Sequence, residues 1–287
     1  MGRIAYVNGR YVHGRDATVN VEDRGYQFAD GVYEVCEIRD GALIDMTRHL
    51  DRLDRSLREL EIRWPMDRDA LQIVLGEVAR RNRVHDGLVY VQVTRGVARR
   101  DHVFPSADTQ PAVVVTAKST DPQVFANKAK EGVAVITVPE NRWDRVDIKS
   151  IGLLPNVLAR QKAKEAGAAE AWFVDRDGMV TEGGATNAWI VTPDGKLVTR
   201  PAETGILRGI TRTVALEVAE AHDLQIEERA FTPDEAKSAR EAFMTSATSM
   251  VMPIVRIDGV SIGNGHPGIT TMALRDSFYD KAEKTLL

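Results

Sequence analysis

Two Asp-Gly pairs, Asp177-Gly178 and Asp194-Gly195, punctuate a stretch in which the apolar runs AEAWFVD, TNAWIVT and KLVTR follow one another closely. Asp-Gly supplies the positive φ that tight hairpin turns need. The runs themselves are rich in aromatic and β-branched residues, so this region is expected to fold as consecutive hairpins. Helices are expected on either side of it: Val157 to Glu165, stopped by Gly167, then Ile210 to His222, and a last one after Gly268.

Further upstream the pattern repeats in another order. Gly9, Gly14, Gly25 and Gly31 break the chain up to about Gly41 into short strands and turns. Thr47 can cap a helix carrying Leu50, Leu53, Leu57 and Leu60 at helical spacing, and Asp67 can cap another carrying Leu71, Val74, Leu75 and Val78. LVYVQVTRG (88–96) alternates apolar with polar residues, while PAVVVTA (111–117) and GVAVITV (132–138) are β-branched runs, and all three read as strands. The polar, proline-containing STDPQ (119–123) joins two of these strands and is the natural linker. The expected organisation is therefore an N-terminal α/β domain over 1–118, a linker over 119–125 and a C-terminal domain over 126–287.

A chain of 287 residues suffices for two such cores. No apolar run approaches the roughly 18 residues of a membrane-spanning helix. The opening MGRIAYVNGRY has no apolar signal segment, and Cys36 is the sole cysteine, so the expected compartment is a reducing cytoplasm and Cys36 a core residue. A formal net charge of -4, without blocks of like charge, argues against a nucleic-acid surface and for small-molecule chemistry.

Several motifs fail on inspection. Gly263-Asn-Gly265-His-Pro-Gly268 matches a dinucleotide fingerprint, but Pro267 removes a backbone donor and too little chain follows for the rest of such a site. The six histidines show no tight ligand spacing and no metal is expected; no GxSxG elbow is present.

Three segments do carry chemistry: DIKSIGLLPNVLA (147–159), VTEGGATNAWIV (180–191) and TGILRGITR (204–212). Lys149 stands among the apolar Val146, Ile148 and Ile151, where a desolvated amine becomes a nucleophile. Glu182 is expected in a turn between two strands, next to Gly183 and Gly184, which let backbone approach a flat ligand. Gly205 to Thr211 passes from a glycine turn into a helix start, which offers free N–H groups and a positive dipole end to a phosphate. Taken singly, each has an ordinary counterpart: a snorkelling lysine, a hairpin acid, a hydrated helix end.

Taken together and in this order, IKS…NVLA, TEG…TN and GILRGITR resemble the fold-type-IV pyridoxal-phosphate enzymes over nearly the whole chain. ADGVYEV, HLDRL and VTRG followed by Arg-x-His resemble the N-terminal segments of the D-amino-acid aminotransferases within that group. The resemblance implies a two-domain α/β homodimer exchanging an amino group between a D-amino acid such as D-alanine and a 2-oxo acid such as 2-oxoglutarate, by a ping-pong mechanism. Lys149 would hold pyridoxal 5′-phosphate as a Schiff base and move the proton at substrate Cα. Glu182 would face the pyridine nitrogen, and Leu207 would pack on the ring. Arg52, the N–H groups of Ile210 and Thr211, and the Thr211 hydroxyl would grip the phosphate.

The same resemblance assigns Tyr33, Arg100 and His102 to a trap for the substrate carboxylate, the Arg-x-His pair reaching the neighbouring subunit's site. Two departures stand out. Gly183, Gly184 and Ala185 replace a serine run, and Ala247 stands where relatives tend to have a phosphate-binding threonine, leaving Thr248 and nearby backbone to compensate. An L-branched-chain aminotransferase or aminodeoxychorismate lyase of the same fold remains an alternative, as does a non-catalytic protein that only holds a small phosphate.

Overall fold

The computed structural model describes residues 3–203 and 205–287. The chain divides into two compact units, Met1–Pro122 with Ile148–Gly152 and Glu283–Leu287, and Gln123–Asp147 with Leu153–Ala282.

The first unit is built on strands β1 (Ile4–Val7), β2 (Arg10–His13), β3 (Gly31–Arg39), β4 (Ala42–Ile44), β5 (Gly87–Thr94) and β6 (Ala112–Ser119), with helices α1 (Arg24–Phe28), α2 (Met46–Glu59) and α3 (Arg68–Arg81). The last strand of the chain, Lys284–Leu286, pairs with β4, and the sheet continues β4-β3-β5-β6-β1-β2 with every pairing antiparallel. The helical spacing of Leu50, Leu53 and Leu57 and of Leu71, Val74, Leu75 and Val78 does what it predicts, since all are buried in one core with Val32, Cys36 and Ile38 of β3. Each such side chain contributes roughly 1.5–3 kcal/mol on burial. Leu60, at the end of the stripe, packs only partly buried against that core. Asp67 is the N-cap of α3 as expected, but the cap of α2 differs. Asp45, not Thr47, is the N-cap of α2, in a left-handed conformation with φ 54°, and the Thr47 hydroxyl donates to Glu283 at 2.7 Å instead.

The second unit holds α4 (Pro122–Glu131), β7 (Val133–Pro139), α5 (Leu154–Glu165), β8 (Glu170–Val174), β9 (Val180–Gly183), β10 (Asn187–Val191), β11 (Leu197–Thr199), α6 (Ile210–Ala221), β12 (Ile226–Glu228), α7 (Pro233–Lys237), β13 (Glu241–Ser246), β14 (Met250–Ile257), β15 (Val260–Ser261), α8 (Ile269–Asp276) and α9 (Phe278–Lys281). Its sheet runs β12-β11-β10-β13-β14-β7-β8-β9, with β15 on β14. The sheet is mixed, because β7-α5-β8 is a parallel crossover and β14 lies parallel to β7.

Both Asp-Gly turns form, with φ 77° at Gly178 and 91° at Gly195. The hairpins they make are not all consecutive, however. β8 turns back onto β9, whereas TNAWIV leaves that edge and becomes β10, hydrogen-bonded to β11 and β13. Helix α4 was missed altogether. Pro122 reads as linker punctuation, yet proline at the first helical position costs no hydrogen bond, and the helix buries little beyond Ala129 and part of Phe125. No described helix is long and apolar enough to cross a membrane.

Candidate active site

In the first unit, Lys149 sits on a short segment laid against the start of β3. The Tyr33 N–H donates to the Lys149 carbonyl at 3.0 Å, the Ile151 N–H to the Gly31 carbonyl at 3.0 Å, and the Lys149 N–H to the Ser56 hydroxyl of α2 at 3.3 Å. This pairing is why Ile148–Gly152, expected with the C-terminal domain, packs with the first unit. The Lys149 side chain is half-buried, its Nζ 4.3 Å from the centroid of the Tyr33 ring. Tyr33 in turn lies against Tyr90, whose hydroxyl donates to Gln92 at 2.7 Å. Burial, then the neighbouring Tyr33, pushes the Tyr90 phenol up to about 12.

Arg52, on α2, is not a solvated helix arginine. Its Nε and Nη2 donate to Glu34 Oε1 and Oε2 at 2.7 and 2.8 Å, a bidentate pair that fixes the plane of the guanidinium. His49 Nδ1 lies 2.7 Å from the same carboxylate. Burial works to raise the Glu34 pKa, but Arg52 and His49 outweigh it and bring the carboxyl down to about 2. An ionised carboxylate only accepts, so the His49 ring carries its proton on Nδ1. Sequence reasoning missed Glu34 and His49. The available signal was parity: Glu34 falls on the core face of β3 with Val32, Cys36 and Ile38, where a carboxylate needs partners.

Arg100 and His102 lie exposed on the loop after β5 and converge on Phe28 at the end of α1. The Arg100 guanidinium is 5.0 Å from the Phe28 centroid and the His102 ring 5.5 Å away. Arg24 braces this loop, donating from Nη1 to the Asp101 carbonyl at 2.6 Å and from Nε to Asp30 at 2.7 Å. Tyr33 therefore has different neighbours from the Arg-x-His pair it is expected to work with.

In the second unit, Glu182 lies within β9 and not in a turn, because the strand runs through it to Gly183; the carboxylate is buried. It accepts from Arg142 Nη1 at 2.6 Å on one oxygen, and from Asn187 Nδ2 at 3.0 Å and the Leu207 N–H at 3.1 Å on the other. Asn187 also donates to the Leu207 carbonyl at 3.0 Å, so it ties the acid to the loop leading into α6. Arg142 is the residue sequence reasoning missed here; forty positions from Glu182, it carries no local signature.

Helix α6 begins after Gly209, which provides no side-chain cap, with Ile210 and Thr211 as its first residues. Their N–H groups belong to the set an α-helix leaves without intrahelical acceptors. Thr204, the first residue of the TGILRG motif, lies outside the described residues. Gly209 approaches Asn187 so closely that a Cβ would stand 2.0 Å from its Oδ1. On the neighbouring strand β13, Thr245 pairs with Asn187, which puts the Ser246–Ser249 turn at the same end of the sheet. There the Ser246 hydroxyl contacts Thr248 at 3.1 Å and Ser249 at 2.9 Å, with Ala247 half-buried and Thr248 exposed.

Gly183 and Gly184 leave little room for side chains. A Cβ on Gly183 would come within 2.2 Å of the Thr186 hydroxyl, and one on Gly184 within 2.9 Å of Arg160 and 3.0 Å of Glu170. Glu170 is buried and accepts from the Ala171 and Ala185 N–H groups, so the tight loop is held from behind. The Thr186 hydroxyl is buried without a protein partner, a polar atom free for a ligand. Outside these groups, Asp40, His85 and Asp86 bring ligand atoms within 4.8 Å of one another, but they are largely exposed and already hydrogen-bonded among themselves.

Residues 31–257 match a family model described as amino-transferase class IV. A D-alanine aminotransferase of Bacillus licheniformis is 41% identical over 283 residues, covering 97% of this chain and 98% of that protein. A D-alanine aminotransferase of Listeria innocua is 40% identical over 276 residues, covering 96% and 94%. Among solved structures, the Escherichia coli branched-chain amino acid aminotransferase superposes with a TM-score of 0.88 at 22% identity, covering 98% of this chain and 94% of that one, a likeness that speaks to the fold.

Proposed function

The chain belongs to the amino-transferase class IV family, and from that premise we propose that it exchanges an amino group between a D-amino acid such as D-alanine and a 2-oxo acid such as 2-oxoglutarate. It is an aminotransferase of fold type IV, and its cofactor is pyridoxal 5′-phosphate. The residues present fit that group: an amine on Lys149, a buried carboxylate fed by donors at Glu182, an uncapped helix start at Ile210, and the unpartnered Thr186 hydroxyl. When bound, pyridoxal phosphate supplies the carbonyl that takes up the amino group and a ring that accepts electrons released at substrate Cα.

On this reading Lys149 anchors the cofactor and moves the proton at Cα. Glu182 places a fixed negative charge at the ring nitrogen, and Leu207, tied to it through its own N–H, packs on the ring. The phosphate is received by Arg52, the Ile210 and Thr211 N–H groups and the Thr211 hydroxyl, with Thr248 and backbone near Ala247 supplementing them. Arg52 is already oriented by Glu34, which lowers the entropy cost of the grip.

D-specificity rests on Tyr33, Arg100 and His102. The observation that carries it is the gathering of Arg100 and His102 on the Phe28 ring, exposed and braced by Arg24, as a ready anion site whose partner carboxylate comes from outside the loop. Such a loop suits service to a second subunit in a homodimer, and a single free, buried thiol at Cys36 suits a reducing cytoplasm. Steady-state kinetics of Arg100→Ala with D-alanine test this: a rise in KM with the cofactor retained supports the trap, and unchanged KM removes it.

A further inference from the structure

Arg142 is a buried arginine with a role still to be assigned. Its side chain is 6% exposed, and its guanidinium lies 4.4 Å from the centroid of the Phe173 ring. Nε and Nη2 donate to the two oxygens of Glu140 at 2.9 and 2.6 Å, while Nη1 donates to Glu182 at 2.6 Å. The Thr181 hydroxyl donates to Glu140 at 2.9 Å and holds that carboxylate in place. One guanidinium thus stands between two carboxylates, a buried cluster with one negative charge in excess.

We propose that Arg142 is a positioning residue that keeps the proton on the cofactor's ring nitrogen by holding Glu182 in its charged form. The proposal rests on the reading of Glu182 as the ring-nitrogen partner. One proton shared by a carboxylate and a pyridine nitrogen has two placements: charged carboxylate with protonated nitrogen, or neutral carboxyl with neutral nitrogen. In a buried site the neutral pair has the advantage, because it avoids the cost of separated charge. The donors on Glu182 reverse that preference, since Arg142 donates to one oxygen and Asn187 and the Leu207 N–H to the other, and a carboxyl proton would have to displace one of them. Of these Arg142 carries a full charge, and hydrogen bonds to charged groups are the strong ones. Burial works against its own charge, but the hydrogen bonds and charges of Glu140 and Glu182 outweigh it and hold the guanidinium above its ordinary value. Glu140 is in this account the counterweight that lets an arginine sit beside Glu182 without stranding a positive charge.

The test is the ¹⁵N resonance of the ring nitrogen in holoenzyme carrying ring-labelled pyridoxal phosphate. Wild type and Arg142→Lys should show the protonated position. Arg142→Gln should move toward the neutral pyridine position and lose kcat, with the KM for the amino donor little changed. Glu182→Gln should move it as well. If Glu182→Gln moves the signal and Arg142→Gln leaves it protonated, the role of Arg142 is overturned while Glu182 keeps its own. If Glu182→Gln leaves the signal protonated, the Glu182 reading falls, and this inference with it. Should Arg142→Gln fail to fold, the double change Glu140→Gln with Arg142→Met removes the buried pair together, the milder perturbation. It must show the neutral position, and a protonated signal there contradicts the proposal.

Discussion

The Nζ of Lys149 rests 4.3 Å from the centre of the Tyr33 ring, while the backbone of the same two residues is joined by the hydrogen bond from the Tyr33 N–H to the Lys149 carbonyl. The tyrosine thus steers the lysine twice, through the backbone register and through the face of its ring. Its hydroxyl is separable from both. Tyr33→Phe should keep the cofactor attached and the kcat near that of wild type, while raising KM for D-alanine. Tyr33→Ala should lower kcat too, because the ring that positions the amine is gone. Lys149→Ala should cut turnover by at least the roughly 10²–10⁴-fold that a positioned acid-base group supplies. Steady-state kinetics of the three variants check the order.

Glu34 provides a pH signature. Its folded pKa of about 2 lies below the ordinary 4.5, so its contribution to stability is complete above pH 4.5 and is lost as pH falls toward 2. Glu34→Gln removes one partner of a buried ion pair and should destabilise the protein at neutral pH by about 3–5 kcal/mol. It should also flatten the fall in stability between pH 4.5 and 2 and weaken cofactor retention through Arg52. Denaturant melts at a series of pH values measure the first two effects; an unchanged acid slope would remove Glu34 from the account.

Gly209 faces Asn187 with no room for a side chain. Gly209→Ala should push Asn187 away from Glu182 and Leu207, costing roughly 1–3 kcal/mol of stability for overpacking and loosening the cofactor. Thermal melts with and without pyridoxal phosphate should show a smaller cofactor-dependent rise in Tm than wild type.

The Arg-x-His loop predicts a kinetic split. Arg100→Ala and His102→Ala should each raise KM for D-alanine by roughly 10- to 150-fold, in line with about 1.5–3 kcal/mol for a hydrogen bond to a charged group. The absorption of the bound cofactor should stay as in wild type, since neither residue is assigned to it.

Much of this architecture was readable along the chain, and what was not shares a cause. Leu50, Leu53 and Leu57 announce α2 because helical spacing is a local signal, and Gly178 and Gly195 announce their turns because positive φ selects glycine. Glu182 was misplaced into a turn because the flanking glycines look like loop residues, when they are there to pass Thr186, Glu170 and Arg160 at close range. Helix α4 escaped because it buries so little that its periodicity is weak. Arg142, Glu34 and His49 escaped because their meaning lies in partners 40, 18 and 15 residues away, which no window along the chain contains. The family motifs point to Lys149, Glu182 and the α6 start, but not to the residues that hold them.

The most direct test of the central claim is an absorbance titration of the cofactor-loaded protein with D-alanine, with L-leucine in parallel. The account predicts that D-alanine converts the visible band of the bound cofactor to its amino form and that L-leucine leaves it unchanged. A band that answers to L-leucine and ignores D-alanine would contradict the D-specific reading of Tyr33, Arg100 and His102.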